Sequence, residues 1–341
     1  MPGSDTLPGS GGGAPRRASR EAPELSVILL IGKRRARAER ALHSLLAQSA
    51  IDRMEILLVD YAAGRESPVV GSDHRAVRPI DRRELEPFGR IRAEAVRRSR
   101  APIVAFLEEH CIALPGWADA IIRAHAQGWD GVGPEVHTAN PGLGVSDSIA
   151  LMNYLPWIPP ASPGETEILV GNNSSYRRGR LLENDADLDW LMACDPLLQW
   201  RLASRGGRLA IDPDVKVAHW NEGRISTISR GYYIWNRIFG PMRAALSVWS
   251  PWTLGLRFLL LPAVPLVRAI QLGRLALRRR PSMGREFVRA LPTILAAQTA
   301  AALGMGVGWI LGPGDAETRF LEYELEEDRP EPDPGATAAA R

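Results

Sequence analysis

The chain has 341 residues, 42 Lys and Arg against 39 Asp and Glu, a formal net charge of +3 and 45% hydrophobic residues. That length buries a full core with room for appendages, and no basic groove interleaved with aromatics stands out, which argues against a nucleic-acid partner. The only two cysteines, Cys111 and Cys194, are far apart and lack metal-ligand spacing, which excludes a disulfide framework and indicates a reducing compartment.

Residues 1–23 are rich in Gly, Pro and Ser. They read as a disordered tail, and without an apolar run before Leu25 they predict no cleavable signal peptide. Residues 25–31 (LSVILLI) form a continuous apolar run, the pattern of a strand covered on both faces. Residues 35–48 carry Ala38, Ala41, Leu42, Leu45 and Leu46 at helical spacing. Residues 54–59 predict a second buried strand, ended by Asp60. An Arg- and Ala-rich helix at 91–100 precedes a third strand at 103–107. Strands alternating with helices at this spacing predict a parallel sheet with right-handed crossovers.

The third strand stops at Glu108-Glu109-His110, and Pro115-Gly116-Trp117 opens a helix running to about Gln127. Two carboxylates and an imidazole at the carboxyl end of a buried strand suit a divalent metal with oxygen-rich ligands, and ligands bind at that end of open α/β sheets. Three polar residues capping a strand at water is the plainer alternative. Gly131-Val132-Gly133 starts another strand, and residues 139–165 read as a long loop or flap. Gly171-Asn172-Asn173 leads to Arg177, Arg178 and Arg180. A helix carrying Asp195 ends near Arg205-Gly206-Gly207, and short strands at 209–211 and 215–218 close on His219-Trp220-Asn221.

In this order the segments resemble the family 2 glycosyltransferases with the GT-A fold, over residues 24–225. SVILLIGK stands where that family has its SVIIPTYN-type first strand, and Asp60 ends the second. Arg92 is the one match to the family's ARN-type helix. Phe106-Leu107-Glu108-Glu109-His110 and Pro115-Gly116-Trp117 match the FLDDD and PGW motifs. Cys194-Asp195-Pro196-Leu197-Leu198-Gln199-Trp200-Arg201-Leu202 with Gly206 matches EDxDLxxRLxxxG, and His219-Trp220 matches the HW strand end. The resemblance implies a nucleotide-diphospho-sugar transferase fold, with a mostly parallel central sheet and flanking helices. It implies a hexosyltransferase-like enzyme with a nucleotide-sugar donor, whose leaving diphosphate is neutralised by Mn²⁺ or Mg²⁺. Glu108, Glu109 and His110 would hold the metal, with His219 as a further ligand, and an imidazole among them leans toward Mn²⁺. Asp60 would receive the base, while Arg92, Glu108, Asn172, Arg178 and Arg201 would bind the donor, the arginines by forked hydrogen bonds. Asp195 would be the general base of an inverting single displacement.

The chain also departs from the family. Glu-Glu-His replaces the Asp-rich motif, Cys194 precedes the base, Leu197 stands for the later Asp, and Tyr61 for a second Asp. Pro196 suits only the first turn of a helix. A sugar-nucleotide binder or scaffold without turnover is therefore the alternative. A nucleotidyltransferase would want a Gly-rich phosphate loop, of which Gly32-Lys33-Arg34-Arg35 is a poor version.

Residues 226–252 carry Tyr232, Tyr233, Trp235, Trp249 and Trp252 among arginines, as at a membrane interface. The apolar run at 258–267 is too short to span. Arg274, Arg278, Arg279, Arg280, Arg285 and Arg289 make a basic cluster, and 290–314 is uncharged over a bilayer-crossing length, although a buried hairpin helix fits as well. One span at 290–314, or two interfacial helices, keeps the arginines cytoplasmic. The expected organisation is a disordered tail (1–23), a GT-A domain (24–225), a region of interfacial and hydrophobic helices (226–314) and an acidic tail (315–341). The expected setting is the cell membrane with the catalytic domain cytoplasmic, and the expected acceptor a lipid-linked or envelope saccharide.

Overall fold

The computed structural model describes residues 22–142, 144–171, 173–327 and 329–330. Most of the expected amino-terminal tail, the last residues of the acidic one, and Asn172 lie outside these. The apolar runs form β1 (Leu25–Ile31), α1 (Arg35–Leu46), β2 (Met54–Asp60), β3 (Val77–Asp81), α2 (Phe88–Arg98) and β4 (Ile103–Glu108). The strands lie in the order β3-β2-β1-β4, all parallel, with Leu25 opposite Met54 and Ile103. Side chains alternate along β1. Val27, Leu29 and Ile31 share a core with Ala38, Ala41 and Leu42 of α1, whereas Ile28 faces Ile91, Ala95 and Val96 of α2. Both faces are covered, which is why these strands read as unbroken apolar runs. The edge strand β3 escaped the sequence reading because it is short and contains Pro79, a residue with no ladder donor that an edge tolerates.

Beyond β4 the sheet becomes mixed. β5 (Cys111–Ala113), α3 (Trp117–Ala126), β6 (Gly131–Thr138), α4 (Val145–Tyr154), β7 (Gly164–Thr166), β8 (Ser175–Arg177), α5 (Arg178–Leu182), α6 (Leu188–Leu191), α7 (Asp195–Ser204) and β9 (Leu209–His219) follow. The order continues β4-β8-β6-β9-β5, with β7 also on β9. The two short strands expected near 209–218 are one strand, β9, whose register against β6 shifts between Gly133 and Glu135. The expected flap at 139–165 contains a buried helix instead, because Ile149, Leu151, Met152 and Leu155 supply an apolar face amid the turn residues.

The carboxyl-terminal third is helical: α8 (Ile225–Leu246), α9 (Pro251–Leu259), α10 (Val264–Arg279), α11 (Gly284–Leu311) and α12 (Ala316–Glu326). Among the described residues α11 is long and apolar enough by itself to cross a membrane, and α9 with α10, bent by 44°, is so as a pair. Helix α11 starts inside the arginine cluster and runs against α8, where glycines permit contact with backbone. A Cβ on Gly304 would stand 2.1 Å from the carbonyl oxygen of Tyr233, and one on Gly308 2.6 Å from that of Arg237. The acidic tail expected from 315 is helix as far as Glu326. Leu321 and Leu325, one helical turn apart, enter the core on the α2 face of the sheet.

His125 of α3 is buried between the carbonyl oxygen of Trp129 and the hydroxyl of Ser175, each at 3.0 Å. Burial pulls its pKa from 6.5 down to about 4, although the Trp129 carbonyl opposes the shift. The unfolded chain then binds this proton more readily, so stability present near neutrality is lost as pH falls from about 6.5 toward 4, by up to about 3 kcal/mol. Urea midpoints of His125→Asn should be markedly flatter than the parent's across that window.

Candidate active site

The Glu-Glu-His motif forms the turn between β4 and β5. β5 pairs antiparallel with β9 so that Cys111 lies opposite His219, and the Trp220 amide donates to the His110 carbonyl at 3.1 Å. This pairing closes the site. His110 Nε2 lies 3.1 Å from His219 Nε2 and 3.1 Å from Glu108 Oε2, and His219 Nε2 is 3.3 Å from the same oxygen. Cys111 Sγ is 3.7 Å from Glu108 Oε2. One donor atom from each of Glu108, His110, Cys111 and His219 lies within 4.8 Å of the others. The sequence reading missed Cys111, because only the cross-strand pairing brings it to the histidines.

The cluster is held from behind. Asn221 Oδ1 lies 2.9 Å from His219 Nδ1, and the Asn221 amide nitrogen donates to the Ser146 carbonyl, which turns its oxygen to the imidazole. His219 then carries its proton on Nδ1 and turns its Nε2 lone pair inward. Tyr154 of α4 places its hydroxyl 2.9 Å from that nitrogen. Asn173 donates to Glu108 Oε2 at 3.3 Å and accepts from the Glu108 amide. Burial pushes the Glu108 carboxyl up, but His110 and His219 beside it bring it well below the usual range. Burial, reinforced by the charge of Arg329, keeps His110 neutral.

Glu109, expected as a ligand, points away from the cluster. It accepts from the Gly32 amide at 3.0 Å and forms a buried ion pair with Arg37. The four-donor group among the described residues is thus one carboxylate, two imidazoles and a thiol, with the Glu324 carboxylate 4.0 Å from His110 Nε2. Arg37 also donates to the carbonyls of Glu324, Leu325 and Glu327, which seats α12 on the end of β1. Arg329 is buried between Glu222 (3.4 Å) and Glu324 (3.2 Å) and donates to the Trp220 carbonyl. Burial, partly offset by Arg329, pushes the Glu324 carboxyl up to about 8.

Asp195 begins α7, so Pro196 falls in the first turn, where its missing N–H costs nothing. Arg92 donates to Asp195 Oδ1 and to the Met192 carbonyl, each at 2.8 Å, with its guanidinium 4.4 Å from the Phe106 ring centroid. Gly171 leaves room for this carboxylate, since a Cβ there would stand 2.7 Å from Oδ2. Arg92, Glu108, Glu109 and His110 line one cavity of about 40 Å³, roofed by Leu321, Glu324 and Leu325 of α12. Asp60 accepts a forked pair of bonds from Arg35, at 2.9 and 2.8 Å. Arg35 also lines a second cavity, of about 220 Å³, with Arg34, Arg37, Arg40, Trp220 and Arg329. The sequence reading discounted this loop as a phosphate binder; what it missed is that α1 turns the next arginines into the same space.

Two expected donor ligands lie elsewhere. Arg178 ties α5 to the end of α2 through the Val96 carbonyl and Ser99, and Arg201 pairs with Asp187 on the surface. Both sit in helices whose neighbours, not the cavities, take their guanidinium groups.

Removing Arg92 strands the Asp195 carboxylate in the interior. Arg92→Ala should cost about 3–5 kcal/mol, and pairing it with Asp195→Asn should recover a large part of that loss. Urea unfolding of the two single variants and the double measures the coupling.

Residues 26–179 match the model of Glycosyl transferase family 2. No curated protein matches the chain. Solved structures that match include GalNAc-T7 with UDP, GalNAc and Mn²⁺, at 14% identity and a TM-score of 0.45 over 64% of this chain and 48% of that one. Another is the mannosyltransferase PcManGT from Pyrobaculum calidifontis in complex with GDP-Man and Mn²⁺, at 19% identity and a TM-score of 0.48 over 82% and 87% of the two chains. The chain thus spans about half the length of the first of these.

Proposed function

From the family 2 glycosyltransferase match over residues 26–179, we propose that this chain transfers a hexose from a nucleotide-sugar donor to a saccharide or lipid-linked acceptor at a membrane surface. The transfer is a single displacement with inversion. The observation that carries the reading is that Arg92, paired with Asp195, lines the same cavity as Glu108 and His110, at the carboxyl ends of parallel strands where ligands of such sheets bind. Asp60 and Arg35 receive the nucleotide. Arg34 and Arg40, beside Arg35, meet the charge of the leaving diphosphate. Asp195 takes the proton of the acceptor hydroxyl as that oxygen attacks the anomeric carbon. No step is assigned to Mn²⁺ or Mg²⁺. The cavity of about 40 Å³ is far below the roughly 300 Å³ of ordinary small-molecule sites, so admitting the sugar requires Leu321 and Leu325 to lift away.

A second reading, a sugar-nucleotide binder without turnover, is favoured by the engagement of Asp195 with Arg92 and by the roof of α12. Asp195→Asn separates the two. In the enzyme reading it keeps donor binding, read as a thermal shift with UDP- or GDP-sugars, and lowers transfer by about 10²–10⁴-fold. If the parent neither transfers nor hydrolyses any donor sugar, and the variant changes nothing, the enzyme reading is lost.

The membrane setting is supported by Trp252, Leu256, Leu259, Leu266 and Leu303, all exposed on α9, α10 and α11 near Arg257, Arg268 and Arg274. Close packing of α11 on α8, which carries Arg237 and Arg243, favours helices lying in the interface, with the sheet on the cytoplasmic side. After lysis without detergent the parent should sediment with membranes, and Leu259→Glu with Leu266→Glu should release it. A parent that stays in the high-speed supernatant at moderate salt would overturn this.

A further inference from the structure

We infer that the cation of the β4–β5 turn is zinc, bound by Cys111 together with Glu108, His110 and His219. The inference concerns the ion and its ligands; it stands on donor geometry whether or not the transferase reading holds. Mg²⁺ and Mn²⁺ favour a shell of hard oxygens, in which carboxylates and water dominate. Here the four-donor group holds one such oxygen: Glu109 is committed to Arg37 and the Gly32 amide, and Glu324, 4.0 Å from His110 Nε2, to Arg329. The other three donors are two imidazole nitrogens and a thiol sulfur. That mixture suits Zn²⁺, which takes Cys, His and carboxylate ligands in four-coordinate tetrahedra.

The spacing agrees with the chemistry. Bonds of about 2.0–2.1 Å to nitrogen and oxygen put tetrahedral neighbours about 3.3 Å apart, and a bond of about 2.3 Å to sulfur stretches the sulfur–oxygen edge to about 3.5 Å. The three edges among His110, His219 and Glu108 are 3.1, 3.1 and 3.3 Å, the Cys111–Glu108 edge is 3.7 Å, and the two from Cys111 to the imidazoles are within 4.8 Å, so the thiol has to close in slightly on the ion. Oriented ligands are the other mark of a metal site, because outer partners fix tautomer and direction. Asn221 fixes the His219 ring from behind, and Asn173 holds the Glu108 carboxylate; each side chain is 1% exposed. Cys111 gives up its proton to solvent as the ion enters, and thiolate and carboxylate then balance the two charges of zinc. A set closed by four protein donors is the structural kind of zinc site. It pins β4, β5 and β9 together at the floor of the cavity, and leaves the diphosphate to the arginines.

The test is metal analysis of the full chain purified from medium containing zinc, manganese and magnesium together. About one zinc per chain is expected; manganese in its place, or no bound metal, overturns the inference. Cobalt loading then asks for the sulfur. The parent and Cys194→Ser should show a thiolate-to-cobalt charge-transfer band, and Cys111→Ser should lose it. A band that survives in folded Cys111→Ser overturns the assignment. Should that variant not fold, X-ray absorption of the zinc-loaded parent decides, with one sulfur near 2.3 Å expected and a shell of nitrogen and oxygen alone fatal. Manganese binding with sugar transfer would sink the zinc inference and spare the transferase. Zinc with one sulfur in a protein that binds no nucleotide sugar would do the reverse.

Discussion

A guanidinium taken out of water must find an acceptor for nearly every N–H it carries, and in this protein that requirement joins the two ends of the chain. Arg37, near the start of α1, is satisfied by Glu109 from the motif turn and by three carbonyls from α12 and the residue beyond it. Arg329, further along, is held through its two terminal nitrogens by Glu222, Glu324 and the carbonyl after β9. Neither charge stays buried unless the β4–β5 turn, the end of β9 and α12 are all in place. Breaking such a pair from one side costs several kcal/mol, a large fraction of the stability of an ordinary domain. The motif residues therefore divide their work. Glu109 anchors the frame, which leaves Glu108, His110 and His219 to form the cluster.

The same division gives each region its chemistry. Arginines gather at the start of α1 beside Asp60, and the donor atoms of the cluster gather one strand away, at the end of β4. Asp195 reaches neither directly and is presented through Arg92, which spans from α2 to the first turn of α7. On the reading proposed above, a nucleotide sugar would lie along the carboxyl ends of β2, β1 and β4, with its base near Asp60 and its sugar near Glu108. What stands in its way is apolar: Leu321 and Leu325, packed where the sugar would lie.

How much of this was legible depended on how local the signal was. β1, β2 and β4 could be placed to within a residue, because strands buried on both faces write unbroken apolar runs. Asp60, Arg92, Glu108, His110, His219 and Asp195 could be placed along the chain because each ends, opens or flanks such an element. The partners of Arg178 and Arg201 could not be read, since a charge on a short helix gives no sign of which way its side chain turns. Cys111 was passed over because its spacing to His219 along the chain means nothing; the antiparallel register of β5 on β9 makes them neighbours. α4 and α12 were hidden in segments whose average composition, turn-rich in one case and acidic in the other, masked a few well-spaced apolar residues. Averages describe solvent-facing surface, whereas packing is decided by the minority that faces in.

The contacts that join Arg37 to α12 span 287 to 290 residues of sequence. Closure over such a separation is entropically costly and tends to come late. During synthesis the parallel core can form while α8 to α12 are still emerging, but the roof cannot close until α12 and Arg329 have left the ribosome. Until then Glu109 lacks the anchored Arg37 that holds it, and the end of β1 stands open to water. The roof over this cavity is therefore added after the sheet, and the helices α9 to α11, which precede α12 in sequence, emerge before it closes.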